Sequence, residues 1–445
     1  LIYQFGRRLK SVRLGLVVAL LAAVNPLQVY YSQEARMYTL LVLLISGMSY
    51  VLWRTTPGQL RIKNEGSGTV RRAVARHLLL YGALAALAVY THYTAVFIVA
   101  AQGLFWVWIL WRAGLKRIIL AAAALAILVA APLVPYTVPR LLTGAEANYY
   151  YVSPLTMLVD VVRFFHLGLT VDFARPIIIA LNALAFTLLL VGLWASAKQV
   201  PRALFLLSWL LAPVLGLMLG SLLFKPMYQG VRHIMAASPA FLLLLGFGLV
   251  QTGHMGGEGR SSRNAVLSRV ALPVALLLVL TGSTYALHNL YTNPAYVKDD
   301  FRAIVRFIET RAGDRDVIVY NNAVLLPLHE HYRLRSDLPA TALPVYPQFA
   351  TGQEPELAEL AASYDHIWFI TDPPADGRDD DTLIRGWLDD NQTVVINQLF
   401  PARTTEARVV AYLTHAGDDE PLNPVDASWP AMPHLTGARF NSLLT

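Results

Sequence analysis

The residues best able to do chemistry in this chain lie at the ends of apolar segments, where an ionisable side chain is costly unless something uses or pairs it. One such place reads Asn25-Pro26-Leu27-Gln28-Val29-Tyr30-Tyr31-Ser32-Gln33-Glu34-Ala35-Arg36-Met37-Tyr38. Pro26 removes a backbone hydrogen bond, so the first apolar helix is expected to kink or end there, leaving Glu34 and Arg36 beside the start of the next. A second place is Phe224-Lys225-Pro226-Met227-Tyr228-Gln229-Gly230-Val231-Arg232-His233. Two cations in one short loop suit an anionic headgroup, because Arg grips phosphate in a bidentate way and Lys acts as a point charge. A third is Tyr90-Thr91-His92-Tyr93-Thr94, where His92 is either a structural hydrogen-bonder or a proton carrier. A blander account covers the same residues: an interfacial aromatic belt, a Glu34/Arg36 anchoring pair, and Lys225 and Arg232 snorkelling to lipid phosphates.

Other segments carry weaker signals. The long stretch 140–175 holds Tyr149-Tyr150-Tyr151 and an amphipathic run, Leu155 to Leu169, bearing Asp160, Arg163 and His166. It reads equally as a lid lying in the interface or as packing between helices. Gly253 to Arg260 is glycine-rich but has neither the preceding strand nor the Lys-Ser/Thr of a phosphate-binding loop. His329-Glu330-His331 offers metal-capable side chains without a third partner at a recognised spacing.

The elements that must position these residues are membrane helices. Of 445 residues, 56% are hydrophobic and 15% charged, against about 25% charged in soluble domains, and the mean hydropathy is +0.47. Apolar runs fall at 14–31, 37–53, 78–91, 93–111, 118–138, 176–195, 203–223, 234–251 and 270–290, most of them close to the roughly 20 residues that cross a bilayer. The expected fold is therefore a polytopic α-helical membrane protein with about nine spans. Cysteine is absent, which excludes disulfides, thiolate metal sites and cysteine nucleophiles.

Charge orients the spans. Taking residues 1–13, 54–77, 112–117, 196–202 and 252–269 as one side, Lys and Arg number about 18, against about 6 in the alternate connections. The positive-inside rule makes the first set cytoplasmic and, with nine spans, puts residues 291–445 outside. That tail is acidic, near −11, while residues 1–290 are near +18. Because the positives are scattered among short loops, a nucleic-acid partner is not expected. Within the tail, a helical pattern over Asp299 to Arg311, β-branched strands at Val317–Tyr320, His366–Thr371, Thr393–Ile396 and Arg408–Leu413, and a helix over Asp379–Asp390 predict a small α/β domain.

The segment Asn25-Pro26 … Tyr30-Tyr31-Ser32-Gln33-Glu34-Ala35-Arg36-Met37-Tyr38 resembles the signature of the bacterial family 39 glycosyltransferases, relatives of the protein O-mannosyltransferases and of the lipid A aminoarabinose transferase. Tyr3 with Gly6-Arg7-Arg8-Leu9, the hairpin Tyr90-Thr91-His92-Tyr93, and Lys225-Pro226 with Arg232 before Pro239 fit the same pattern, as does Asp300-Phe301-Arg302 ahead of the Val317 strand. The resemblance implies a GT-C fold in the inner membrane, with a transmembrane domain over 1–290 and an extracytoplasmic domain over 291–445. It implies inverting transfer of a sugar from a polyprenyl-phosphate donor to a lipid, glycan or protein acceptor on the outer face. Such chemistry needs a carboxylate base for the acceptor hydroxyl and cations for the departing phosphate. By position, Glu34 matches the family's second acidic position and is the catalytic carboxylate this chain offers; Lys225 and Arg232 match the phosphate-binding cations, Arg36 either joins them or only orients Glu34, and Tyr38, His92 and His233 match the substrate contacts, although His233 stands where the family usually has Tyr.

The family's first outer loop carries its presumed catalytic base, and this chain begins after the matching point, so the 445 residues alone are expected to be catalytically incomplete. No cofactor beyond the lipid-linked sugar is implied, and the chemistry leaves room for a divalent metal. A transporter or lipid flippase and a non-catalytic membrane scaffold are the rival readings. An odd number of spans, a large acidic outer domain and no charge deep inside a helix argue against the transporter.

Overall fold

A computed structural model of the chain describes residues 1–56, 67–112, 151–224, 226–228, 230–253, 262–296, 300–321, 323–343, 354–371, 382–400 and 407–414, with isolated positions at 131, 135 and 139. It divides into two compact units, Leu1–Leu287 and His288–Thr445.

The first unit is helical: α1 Ile2–Leu9, α2 Val12–Ala23, α3 Pro26–Ser32, α4 Tyr38–Arg54, α5 Ser67–Thr91, α6 Ala95–Arg112, α7 Pro154–Leu167, α8 Pro176–Ala197, α9 Val200–Leu223 and α10 Ser238–Thr252. The last helix, α11, Ser262–Thr292, begins in this unit and ends a few residues past its boundary at Leu287. The opening stretch, which the charge pattern puts on the cytoplasmic side ahead of the first apolar run, forms α1, which packs on α2 through a close glycine contact. A Cβ on Gly6 would meet the Gly15 Cα at 2.9 Å. Among the described residues, four helices are long and apolar enough to cross a membrane, five if the bent α2–α3 pair is one span. Tyr38–Arg54, Ala75–Thr91 and Ala95–Ile109 are shorter apolar helices. The apolar run 118–138 lies outside the described residues.

The break between α2 and α3 is local chemistry. The Asn25 carboxamide oxygen accepts from the Gln28 N–H at 3.0 Å, capping α3, and Pro26 occupies the first turn, where no amide hydrogen is required. The two helices diverge by 52°. The Asn25 Nδ2 donates to the Phe165 carbonyl at 2.8 Å, tying the bend to α7. Gly168, just past α7, has φ +68°, and a Cβ there would lie 2.8 Å from Pro26. Helix α10 is central: it is buried without a break from Ser238 to Val250, as expected of a helix apolar on every face.

The second unit is a five-stranded sheet in the order β2-β1-β3-β5-β4, with β1 Asp316–Tyr320, β2 Ala340–Ala342, β3 His366–Thr371, β4 Thr393–Phe400 and β5 Ala407–Leu413. Strand β1 pairs parallel with β2 and β3, and β5 pairs antiparallel with β3 and β4. Both faces are covered. Phe301, Ile304 and Ile308 of α12, Phe301–Glu309, pack on one side. Leu357 of α14, Glu354–Ser363, and Ile384 and Leu388 of α15, Thr382–Asn391, pack on the other. Coverage on both sides explains why Val317 to Tyr320 is a continuous apolar run rather than an alternating one. The pattern expected in the tail matches these elements, with β4 extending beyond Ile396; β2, α14 and the short helix α13, Leu326–Tyr332, carry no comparable signal in the sequence.

Candidate functional site

Three separated segments meet at one end of the helices of the first unit. The start of α4 contributes Arg36, Met37 and Tyr38; the turn from α5 to α6 contributes Tyr90, Thr91, His92 and Tyr93; the 3-10 helix Val231–Ala237 contributes Arg232 and His233. Together with Val89 they line a cavity of about 410 Å³. Gly230, at φ +86°, turns the chain into that 3-10 helix, a backbone conformation that glycine adopts without steric cost.

Aromatic rings hold the segments in register. Tyr38 lies 5.5 Å from Tyr31 and 5.5 Å from His92, centroid to centroid. His92 stacks on Tyr93 at 4.7 Å and faces His233 at 6.0 Å. His92 Nδ1 lies 2.7 Å from the Thr94 hydroxyl and 3.3 Å from the Thr94 N–H. His233 Nδ1 lies 3.0 Å from the Met227 carbonyl, an acceptor only, so there Nδ1 carries the proton. Burial, reinforced by the Arg232 guanidinium, pushes His92 down to about 4, so it is neutral at physiological pH.

The cavity therefore presents two guanidinium-bearing residues, Arg36 and Arg232, beside neutral imidazoles and phenol rings, an arrangement able to grip an anion. Tyr38, His92 and His233 join them. Glu34 does not line the cavity; it sits half-buried in the turn two positions before Arg36, with its N–H on the Tyr31 carbonyl at 3.2 Å. Lys225 lies outside the described residues.

A second cavity, of about 280 Å³, is lined by Tyr151, Val152, Ser153, Thr156, Asp160, Tyr228 and Gly230. The Tyr228 hydroxyl donates to Asp160 Oδ2 at 2.6 Å. Burial raises the Asp160 pKa, opposed by the Tyr228 hydrogen bond and by Arg163. The sequence marks Asp160 as one polar position of an amphipathic helix, without indicating that it meets the loop carrying Arg232. Among the described residues, no group of three His, Cys, Asp or Glu gathers as metal ligands. In the second unit His329 is buried with its Nδ1 3.0 Å from the Tyr320 hydroxyl, and Glu330 pairs with Arg333 at 2.8 Å.

The helices and this cavity define a polytopic membrane protein with a cationic pocket at one set of helix ends. Among solved structures the chain is similar to ArnT from Cupriavidus metallidurans in the apo state, with a TM-score of 0.53 and 14% identity over 92% of this chain and 80% of that one. The arabinofuranosyltransferase AftD from Mycobacteria aligns at a TM-score of 0.42 and 16% identity, over 93% of this chain and 33% of that chain, too distant to bear on the fold. No protein-family pattern and no curated protein sequence matches. The likeness to ArnT is one of fold, a polytopic helical membrane architecture.

Proposed function

We propose that the chain belongs to a membrane glycosyltransferase that moves a sugar from a polyprenyl-phosphate donor to a hydroxyl-bearing lipid, glycan or protein acceptor. The observation that carries this reading is the cavity joining Arg36 and Arg232 to Tyr38, His92 and His233, in a chain similar in fold to ArnT. In the proposed inverting reaction the bond from the anomeric carbon to the phosphate oxygen breaks as the acceptor oxygen bonds to that carbon. Arg36 and Arg232, with Lys225 from the same loop as Arg232, take up the charge on the departing phosphate. The acceptor proton passes to a carboxylate, which the family resemblance puts in the outer loop ahead of this chain; Glu34, two positions before Arg36 but not lining the cavity, is the candidate within these residues. The reading puts this chemistry on the outer face of the inner membrane, with about nine crossings and the second unit extracytoplasmic, as the loop charges suggest.

The test is transfer from radiolabelled polyprenyl-phosphate sugars by the full-length protein in membranes. Arg232→Ala and Glu34→Gln are each expected to lower turnover at least about a hundredfold, the usual cost of removing one transition-state contact, with expression intact. Near-normal turnover in both variants would sink the assignment of the site. Donor binding with movement across the bilayer and no transfer would favour a flippase.

A further inference from the structure

A second gathering of cations lies at the helix ends remote from the cavity, and the proposed reaction makes no use of it. Arg202 is in the first turn of α9, so most of a 24-residue helix, roughly 30 Å at 1.5 Å per residue, separates it from the Tyr228–His233 segment. Phe247 lies near the end of α10, remote from the same segment. The Arg202 guanidinium carbon is 5.3 Å from the Phe247 ring centroid, and Lys10 Nζ is 5.6 Å from the same centroid. Lys198, in the turn between α8 and α9, stands 5.2 Å over the Trp194 ring. Burial, then the charges of Arg202 and Lys198, hold the Lys10 ammonium below its ordinary pKa.

Three like charges from two stretches of chain, Lys10 and the Lys198–Arg202 turn, repel one another, and one of them is deeply enclosed. Arg202 is 6% exposed, and its Nε has no hydrogen-bond partner. Among the described residues no carboxylate forms an ion pair with any of the three; Asp172, which pairs with Arg175, lies at the opposite end of α8. A shared aromatic face offsets part of the cost of burying a cation but does nothing about repulsion between cations. Buried charge calls for a counter-charge.

The surroundings indicate what brings it. Trp194 and Val200, flanking the cluster, are 57% and 59% exposed, and apolar surface with a tryptophan at the end of a membrane helix meets lipid. We propose that Lys10, Lys198 and Arg202 bind the phosphate of an anionic phospholipid headgroup at the membrane face opposite the cavity. Arg202 supplies the enclosed Nε–H, and the two lysines act as mobile point charges. The phosphate relieves their repulsion and ties together the ends of α1, α8, α9 and α10.

The experiment is native mass spectrometry of the full chain released from nanodiscs of mixed phosphatidylcholine and phosphatidylglycerol. The wild-type protein is expected to retain phosphatidylglycerol in preference. Lys10→Gln with Lys198→Gln, whose side chains reach the surface, lowers that preference at least about tenfold, since each cation near an anionic surface contributes roughly a fivefold effect. Arg202→Gln lowers it likewise, while Arg175→Gln, at the other end of α8, leaves it unchanged. An unaltered preference in the double-lysine variant overturns the proposal. So does displacement of the retained lipid by inorganic phosphate, which would identify a free-anion site.

Discussion

Asp316 shows what one carboxylate can hold together. It begins β1, buried, and takes hydrogen bonds from the Gly313 N–H at 2.9 Å and the Trp368 Nε1–H at 2.8 Å, with His366 Nδ1 2.9 Å from its other oxygen. Burial alone would raise its pKa, but the contacts with His366, Trp368 and Gly313 outweigh it and leave the carboxyl below its ordinary value. A depressed folded-state pKa means that this stabilisation is complete above the unfolded value, near pH 4, and is lost as pH falls through the folded value. Asp316→Asn is therefore expected to cost about 1–3 kcal/mol at neutral pH, and the gap to wild type should close below about pH 4. Hydrogen exchange of the Asp316–Tyr320 amides across that range reads it, and a gap independent of pH would contradict the account. The sequence marks Asp316 only as the polar start of a β-branched run, because its three partners arrive from a turn and from a different strand.

At the scale of elements, the contact between α8 and α10 depends on two glycines. A Cβ on Gly192 would fall 1.9 Å from the Leu244 carbonyl oxygen, and one on Gly248 2.0 Å from that of Leu188. Each glycine receives the other helix's backbone, a close approach that small residues permit in membranes, where packing rather than water drives association. Gly103 in α6 has nothing within 4 Å of the corresponding position. Gly192→Ala is expected to force the backbones apart at a cost of about 1–3 kcal/mol, while Gly103→Ala is neutral or stabilising by up to about 1 kcal/mol. Thermal unfolding of the detergent-solubilised protein separates the two, and equal effects would refute the distinction. The Asn25-Pro26 bend was legible, since a cap and a proline act within one turn. The glycine contact was not, since both glycines sit in apolar runs like any other.

At the scale of the whole molecule, the alternation of loop charge makes a testable claim about sidedness. Helix α8 connects exposed Asp172 to exposed Gln199, and the chain has no cysteine, so single substitutions report their own location. A membrane-impermeant thiol reagent is expected to label Asp172→Cys in intact cells, and Gln199→Cys only after permeabilisation. Labelling of both from outside, or the reverse pattern, would overturn the orientation and with it the placement of the cavity on the outer face.

Apolar length, charge alternation, the bend at Pro26 and the β-branched strands of the tail are sums over neighbouring residues, so the sequence by itself determined the membrane class, most of the helix positions and the α/β character of the second unit. Only the tertiary structure decided that Arg36, His92 and Arg232 share one cavity, that Asp160 meets Tyr228, and that Lys10 and Arg202 share the ring of Phe247. The physical reason is clearest in α10. The apolar stretch of the span containing it is wholly buried, yet at a mean hydropathy of 1.9 it is the least apolar of the four long spans, whose other members reach 2.0 to 2.4 and are mostly uncovered. Lipid tails are as apolar as a protein core, so hydropathy tells which segments leave water but not which of them meet one another.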